Sequence, residues 1–255
     1  MILDAFSLRG RNALVTGSRT GLGAAMALAL AQADANVVVH ARRSDASLDE
    51  VCTAVRAAGA RAVPAAADLA DPRACTNLIE LTVRELGSID ILINNAGIIR
   101  RAPAGDYPEK DWADVIQTNL NSVFRLCQLA GRHMLAQGSG KIINIASLLS
   151  FQGGVFVPAY AAAKGAVAQL TKALANEWAS KGINVNAIAP GYMATKVTDA
   201  LRADPVRSRQ ILERIPAGRW GTPQDLAGAA VFLASSASDY MHGHVLVVDG
   251  GWMAR

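Results

Sequence analysis

From Asn12 to about Ser147, short β-branched runs alternate with longer Ala-rich stretches whose apolar residues recur at helical spacing. That alternation is the pattern of βαβ units laid on a parallel sheet. The runs that read as strands are Ala13-Leu14-Val15, Val37-Val38-Val39, Arg61-Ala62-Val63, Ile89 to Ile93, Lys141 to Ile145, Ile183 to Ile188 and Val245 to Val248. Each is nearly continuous in apolar residues, as a strand covered by helices on both faces must be. Helices are expected over Leu22 to Ala33, Ser47 to Ala58, Pro72 to Leu86, Lys110 to Ala136, Ala159 to Ser180 and Pro223 to Ala234, with the most regular spacing in the last three. No repeat, low-complexity linker or break in composition divides the 255 residues. The expected fold is therefore α/β: a single Rossmann-type, doubly wound parallel sheet with helices on both faces, occupying residues 1–255. One stretch departs from the pattern. Residues 193–218 are longer and more polar than an ordinary connection, with breaks at Pro205 and Pro216, and are expected to form a lid over a substrate.

Composition narrows the class. With 51% hydrophobic and only 5% aromatic residues, the chain suits close helix-on-sheet packing and excludes disorder, collagen and a disulfide scaffold. The net charge of +4 comes from scattered basic residues with no dense Lys/Arg block, so no nucleic-acid partner is expected, and a basic pocket for an anionic ligand accounts for the excess better. Cys52, Cys75 and Cys127 are odd in number and widely spaced without a CxxC pattern, which reads as buried thiols in a reducing compartment. His40, His133, His242 and His244 form no metal-ligand pattern, and no metal is expected. Met1 to Phe6 carries no basic region ahead of an apolar stretch, and no run approaches the ~20 apolar residues of a membrane span. The expectation is a cytoplasmic protein with no membrane partner.

Chemistry enters at the strand ends. Directly after the first strand comes Thr16-Gly17-Ser18-Arg19-Thr20-Gly21-Leu22-Gly23, then a helix. Glycines there permit a tight turn and a close approach of backbone to a pyrophosphate, which would sit at the positive helix N-terminus. The expected cofactor contacts are Gly17 through Gly23. Many NAD-binding proteins place an acidic residue at the end of the second strand, whereas this strand ends His40-Ala41-Arg42-Arg43. Arg19 and Arg42, beside the small Ala41, could hold a 2′-phosphate. NADP(H) is favoured on that ground, with NAD(H) left open.

Further along, Asn94-Asn95-Ala96-Gly97 follows the fourth strand, Ser147 follows the fifth, and Tyr160 to Lys164 opens the next helix. All three fall where ligands bind in open α/β sheets. Tyr160 and Lys164 are four apart and share a helix face. A free phenol titrates near ~10, so a nearby ammonium is needed if it is to act as a base at neutral pH. Lys164 can supply that charge, Tyr160 would exchange the proton with substrate, and Ser147 would polarise the carbonyl oxygen. A serine after a strand is commonly a cap, and a Tyr/Lys pair at this spacing is commonly helix surface. Their joint placement carries the reading.

In order, Thr16 to Gly23, Asn94 to Gly97, Asn119, Ser147, Tyr160 with Lys164, and Pro190-Gly191 resemble the pattern of the short-chain dehydrogenase/reductase family over nearly the whole chain. The resemblance implies that Asp68-Leu69 meets the adenine and that the Asn95-Ala96-Gly97 backbone lines the cofactor. It also implies that Asn119 holds a water linking Lys164 to solvent, and that Pro190, Gly191, Met193 and Thr195 contact the nicotinamide end. Within the family the chain is most similar to the group acting on 2-deoxy-D-gluconate or 2-dehydro-3-deoxy-D-gluconate, through segments such as Asn94 to Arg101, Ser150 to Gly154 and Val248 to Arg255. An anionic sugar acid needs a cation for its carboxylate and hydrogen bonds for its hydroxyls. Arg100, Arg101, Gln152, Tyr192 and Arg219 are the candidates. That group is usually described with NAD, against the lean of Arg19 and Arg42. A homotetramer is implied as well, built on the two long helices. Other readings are gluconate 5-dehydrogenase, 3-oxoacyl-carrier-protein reductase and, outside catalysis, a dinucleotide-binding redox sensor.

Overall fold

A computed structural model describes residues 1–255. Its strands are β1 (Asn12–Val15), β2 (Asn36–Ala41), β3 (Ala62–Ala66), β4 (Ile91–Asn94), β5 (Gly140–Ile145), β6 (Ile183–Pro190) and β7 (Val245–Val248). They form one sheet in the order β3-β2-β1-β4-β5-β6-β7, every pairing parallel. The helices are α1 (Gly21–Gln32), α2 (Ala46–Ala57), α3 (Pro72–Leu86), α4 (Glu109–Ile116), α5 (Ser122–Gln137), α6 (Pro158–Trp178), α7 (Asp199–Ala203), α8 (Pro205–Arg214) and α9 (Ala227–Ala234).

The continuous apolar strands divide their side chains between two cores. Ala13, Val15, Val37, Val39, Ile91 and Ile93 face α1, α2 and α9, packing on Met26, Leu30, Leu48, Val55 and Leu233. The intervening Leu14, Val38, Leu92 and Ile142 face α3, α5 and α6, packing on Leu78, Ile79, Leu126, Val167 and Trp178. Because the period along a strand is two, an uninterrupted apolar run supplies both faces. The three cysteines lie buried and separate within these layers.

Two expectations change in detail. The helix read as Lys110 to Ala136 is two helices joined by a π-helical turn, Gln117–Asn121. The polar stretch 193–218 contains helices of its own, α7 and α8. Asp204 caps α8 by accepting from the amides of Val206 and Arg207 at 2.9 and 3.0 Å, and Pro205 stands in the first turn, where its missing N–H costs nothing. Helix α8 is tied down by Ile211 and Ile215, which pack with Leu148 and Trp252 near the C-terminus.

Chain order reverses between β1 and β4. The crossover from β3 carries the chain past β2 and β1, so a crevice opens beyond the C-terminal ends of β1 and β4. Such a switch point is where an open α/β sheet receives a ligand.

Candidate active site

The glycine turn at the head of β1 is built to admit backbone only. Gly17 has φ of 62°, and a Cβ on it would come within 2.9 Å of Ala96 Cα. At Gly23 a Cβ would strike the Gly17 carbonyl and the Asn95 amide. Helix α1 begins at Gly21 with no side-chain cap from Thr20, so its first amides are available to an anion, as the helix dipole favours. Ser18 is fully buried, its hydroxyl donating to the Val15 carbonyl at 2.7 Å and accepting the His40 amide at 2.9 Å. It braces the turn from behind. Thr195 lies opposite, its methyl 3.7 Å from where a Gly21 Cβ would stand.

The Asn95-Ala96 turn is locked to this loop. Both of its amides donate to the Thr16 hydroxyl at 3.0 Å, and Asn95 Nδ2 donates to the carbonyls of Thr16 and Gly17 at 2.9 and 3.0 Å. At the outer edge, Ala41 is buried at the end of β2, Leu69 is buried after β3, and Asp68 accepts from the Ala70 amide. Arg19 is paired with Asp45, whose carboxylate also caps α2 through Leu48 N. Arg42 is exposed and has no acidic partner. Of the two arginines expected at a 2′-phosphate, only Arg42 has its charge uncommitted.

Past β5, Ser147 opens a 3₁₀ turn, accepting from Leu149 N at 3.2 Å. Tyr160 and Lys164 sit in the first turns of α6, started by Pro158. Burial pushes the Tyr160 phenol above its ordinary value, with the Ser147 hydroxyl and the Arg101 guanidinium drawing it the other way. Lys164 is 4% exposed, and burial pushes it down to about 8. Its Nζ donates to the Ile145 carbonyl at 2.5 Å and stands 5.7 Å from the Tyr160 ring centre. In this arrangement burial outweighs the lowering expected from the ammonium. A buried ammonium takes the nearest acceptor, and here that is a strand-end carbonyl. Asn119, within the π-helical turn, is fully buried, and its amide brackets Ile98, donating to the Ile98 carbonyl and accepting the Ile98 amide at 2.8 Å each. Its side chain thus fixes the segment after β4.

Pro190 ends β6, and Gly191 packs so closely on Asp249 that a Cβ would lie 2.6 Å from the Asp249 Cα. Met193 is buried, pairing with Gly221 in an isolated parallel bridge. The substrate candidates separate. Arg101 is exposed, has no acidic partner and acts on the Tyr160 phenol. Arg100 faces Asp111 at 3.6 Å. Arg219 is held by both oxygens of Asp225 at 2.7 and 2.8 Å, which keeps that carboxyl well below the usual carboxylate range. Tyr192 is wedged between Trp220 and Trp252, ring centres 5.6 and 4.6 Å away. Gln152 is half-buried in the turn before α6. A cavity lies at the opposite, N-terminal end of the strands, lined by the pairs Arg11–Asp90 and Lys141–Asp239.

Two participants, His40 and Asp45, were not among the expected site residues, and Thr16 was expected only as the start of the glycine motif. Each acts through a contact 20 or more residues away in the chain.

Comparison with known proteins agrees with this geometry. A family model described as enoyl-(acyl carrier protein) reductase matches residues 17–253. The chain is 55% identical over 257 residues to 2-dehydro-3-deoxy-D-gluconate 5-dehydrogenase of Dickeya dadantii (strain 3937), covering all of both chains. It is 56% identical over 252 residues to the Bacillus subtilis (strain 168) protein of the same name, covering 99% of this chain and 98% of the relative. Among solved structures, a candidate 2-deoxy-D-gluconate 3-dehydrogenase from Agrobacterium tumefaciens with bound NADP superposes with a TM-score of 0.93. It is 56% identical, and the match covers 99% of this chain and all of that one.

Proposed function

We propose, from the premise that this chain belongs to the short-chain dehydrogenase/reductase family, that it interconverts a hydroxyl and a keto group on a sugar acid, 2-deoxy-D-gluconate or 2-dehydro-3-deoxy-D-gluconate. The observation that carries the reading is the grouping of Ser147, Tyr160, Lys164 and the unpaired Arg101 past the same, C-terminal end of the sheet as a glycine turn that admits backbone only. The names of relatives that are 55% and 56% identical over full length support the substrate class.

A nicotinamide dinucleotide, when bound, supplies hydride in reduction and accepts it in oxidation. Gly17 to Gly23 would hold its pyrophosphate, Asp68 and Leu69 its adenine, Asn95 to Gly97 its inner face, and Pro190, Gly191, Met193 and Thr195 its nicotinamide end. Arg42, beside Ala41, would meet a 2′-phosphate, which favours NADP(H), as does the NADP carried by the Agrobacterium neighbour. Tyr160 Oη donates the proton to the developing alkoxide in reduction and removes the hydroxyl proton in oxidation. Ser147 Oγ hydrogen-bonds the carbonyl oxygen and orients it. Lys164 keeps an ammonium near the phenol at neutral pH, and Asn119 holds the segment that bounds the pocket. Arg101 receives the carboxylate, a role for which its planar, always-charged guanidinium suits it.

The stretch 193–218 is read as the substrate lid, supported by the approach of Thr195 to the glycine turn. A homotetramer built on α4, α5 and α6 is supported by the exposed faces of Trp112 and Phe124. No helix is long and apolar enough to cross a membrane.

Initial rates at the reduced-nicotinamide absorbance band test the reading, with 2-deoxy-D-gluconate, gluconate and an acetoacetyl thioester each run against both cofactors. Turnover of the deoxy sugar acid is expected. Turnover of the thioester alone would overturn the substrate while leaving the Ser147, Tyr160 and Lys164 chemistry in place.

A further inference from the structure

His40 is the penultimate residue of β2, with 2% of its surface exposed. Its ring joins two segments distant in sequence. Nδ1 lies 3.0 Å from the backbone nitrogen of Gly17, and Nε2 lies 2.9 Å from the carbonyl oxygen of Ala67, just after β3. An amide N–H can only donate, so Nδ1 must present its lone pair. A carbonyl can only accept, so Nε2 must carry the hydrogen. Together the two contacts admit one species of the ring, the neutral Nε2–H tautomer. Burial pushes the imidazole below its ordinary value, against the Ala67 carbonyl and Asp68, and so favours the same species.

The contact falls at a sensitive place. The Gly17 carbonyl is already taken by Asn95 Nδ2 at 3.0 Å, and Gly17 itself holds a left-handed φ. With the ring in place, both polar groups of this residue are fixed from inside the protein. The other links between the turn and β2 run through Ser18, whose amide donates to the His40 carbonyl at 2.8 Å and whose hydroxyl accepts the His40 amide. Only the imidazole reaches the Gly17 amide. Without that acceptor, a partly buried N–H loses its partner and a glycine-rich turn regains conformations it must lose again when a ligand binds.

We propose that His40 is a positioning residue for the dinucleotide: its neutral ring holds the Gly17 amide inward and keeps the turn in the shape that receives the pyrophosphate. The inference rests on the glycine turn being the dinucleotide site. His40 touches neither dinucleotide nor substrate and acts through the backbone of Gly17.

Two substitutions separate this role from bulk packing. In His40→Asn the side-chain oxygen can occupy the place of Nδ1 and accept from Gly17. In His40→Gln the side-chain amide reaches the place of Nε2 and keeps Ala67, while Gly17 loses its acceptor. Fluorescence titration of NADPH is expected to give a dissociation constant raised roughly tenfold in His40→Gln, the consequence of one unmade, partly buried hydrogen bond, and a value within about threefold of the parent in His40→Asn. Nitrogen-15 NMR of the parent protein should show a protonated Nε2 and a bare Nδ1 at neutral pH. An Nδ1–H or doubly protonated ring would overturn the inference, as would equal NADPH affinity in the parent and His40→Gln, or equal weakening in both variants. Failure of the parent to bind NADPH at all would instead overturn the functional reading.

Discussion

Tyrosine and phenylalanine differ by one oxygen, and at position 160 the proposed proton transfer rests on that oxygen. Tyr160→Phe removes the transferable proton with almost no change in volume at the head of α6. Positioned acid–base groups contribute about 10²- to 10⁴-fold, so kcat should fall by at least about 10²-fold. The dissociation constant for NADPH should hold within a few-fold, because the glycine turn and Thr195 are untouched. Stopped-flow hydride transfer together with a binding titration makes the comparison, and near-parental turnover would sink the mechanism. Lys164 shows why these residues could be named from the sequence while their electrostatics could not. Four residues of spacing put it on the Tyr160 face, but only the fold reveals the Ile145 carbonyl 2.5 Å from its ammonium, and burial that pushes it down to about 8. The same limit hid Asp45, whose pairing with Arg19 depends on how α2 begins.

At the scale of elements, α8 and the C-terminal segment form one unit. Trp252 is 5% exposed, with its ring 4.1 Å from the Arg214 guanidinium carbon and in the cluster of Ile211 and Ile215. Ala217 N donates to the Gly250 carbonyl at 2.9 Å, and Arg255 reaches the Glu213 carbonyl. Trp252→Ala removes the anchor, a change that typically costs about 3–5 kcal/mol in a core. The loss should fall mainly on residues 193–218: tryptic cleavage between Arg202 and Arg214 should accelerate at least about tenfold, local opening being set by local stability, while cleavage elsewhere lags. Uniform acceleration along the chain would show instead that the whole fold had weakened. Helices α7 and α8 were hidden from the sequence for the same reason. Helix α8 buries only Ile211 among its own residues, and the partner that makes it a helix lies some forty positions further on. The π-helical turn at Gln117–Asn121 was hidden differently. One wide turn inside a helical stretch barely disturbs the apolar spacing, so residues 110–136 read as one helix. Strands β1, β2, β4, β5 and β6 were legible because both of their faces are covered, leaving an apolar run that no other environment demands.

The whole molecule places its candidate chemistry at one end of the sheet. Ser147, Tyr160 and Lys164 come from the chain after β5 and from α6, the glycine turn from β1, the Asn95 turn from β4 and Thr195 from the chain after β6, so a ligand that bridges them would add contacts across all of these segments. Such a ligand binds the folded chain and not the unfolded one, and it stabilises by RT ln(1 + [L]/Kd), about 2.7 kcal/mol at a hundredfold excess over Kd. A domain of this size gains about 2–4 °C per kcal/mol, so NADP(H) at that excess should raise the melting temperature by roughly 5–10 °C. Cofactor choice is readable in the same experiment. If the unpaired Arg42 meets a 2′-phosphate, NADP(H) should give the larger shift at equal concentration, and Arg42→Ala should shrink that shift while leaving the one from NAD(H) in place, since the second cofactor has no phosphate there to lose. Calorimetric scans of the parent and this variant with each dinucleotide decide it. Equal losses for both cofactors would mean that Arg42 shapes the adenosine pocket without reading the phosphate. The Arg19–Asp45 pair at the glycine turn would then become the feature that sets cofactor preference.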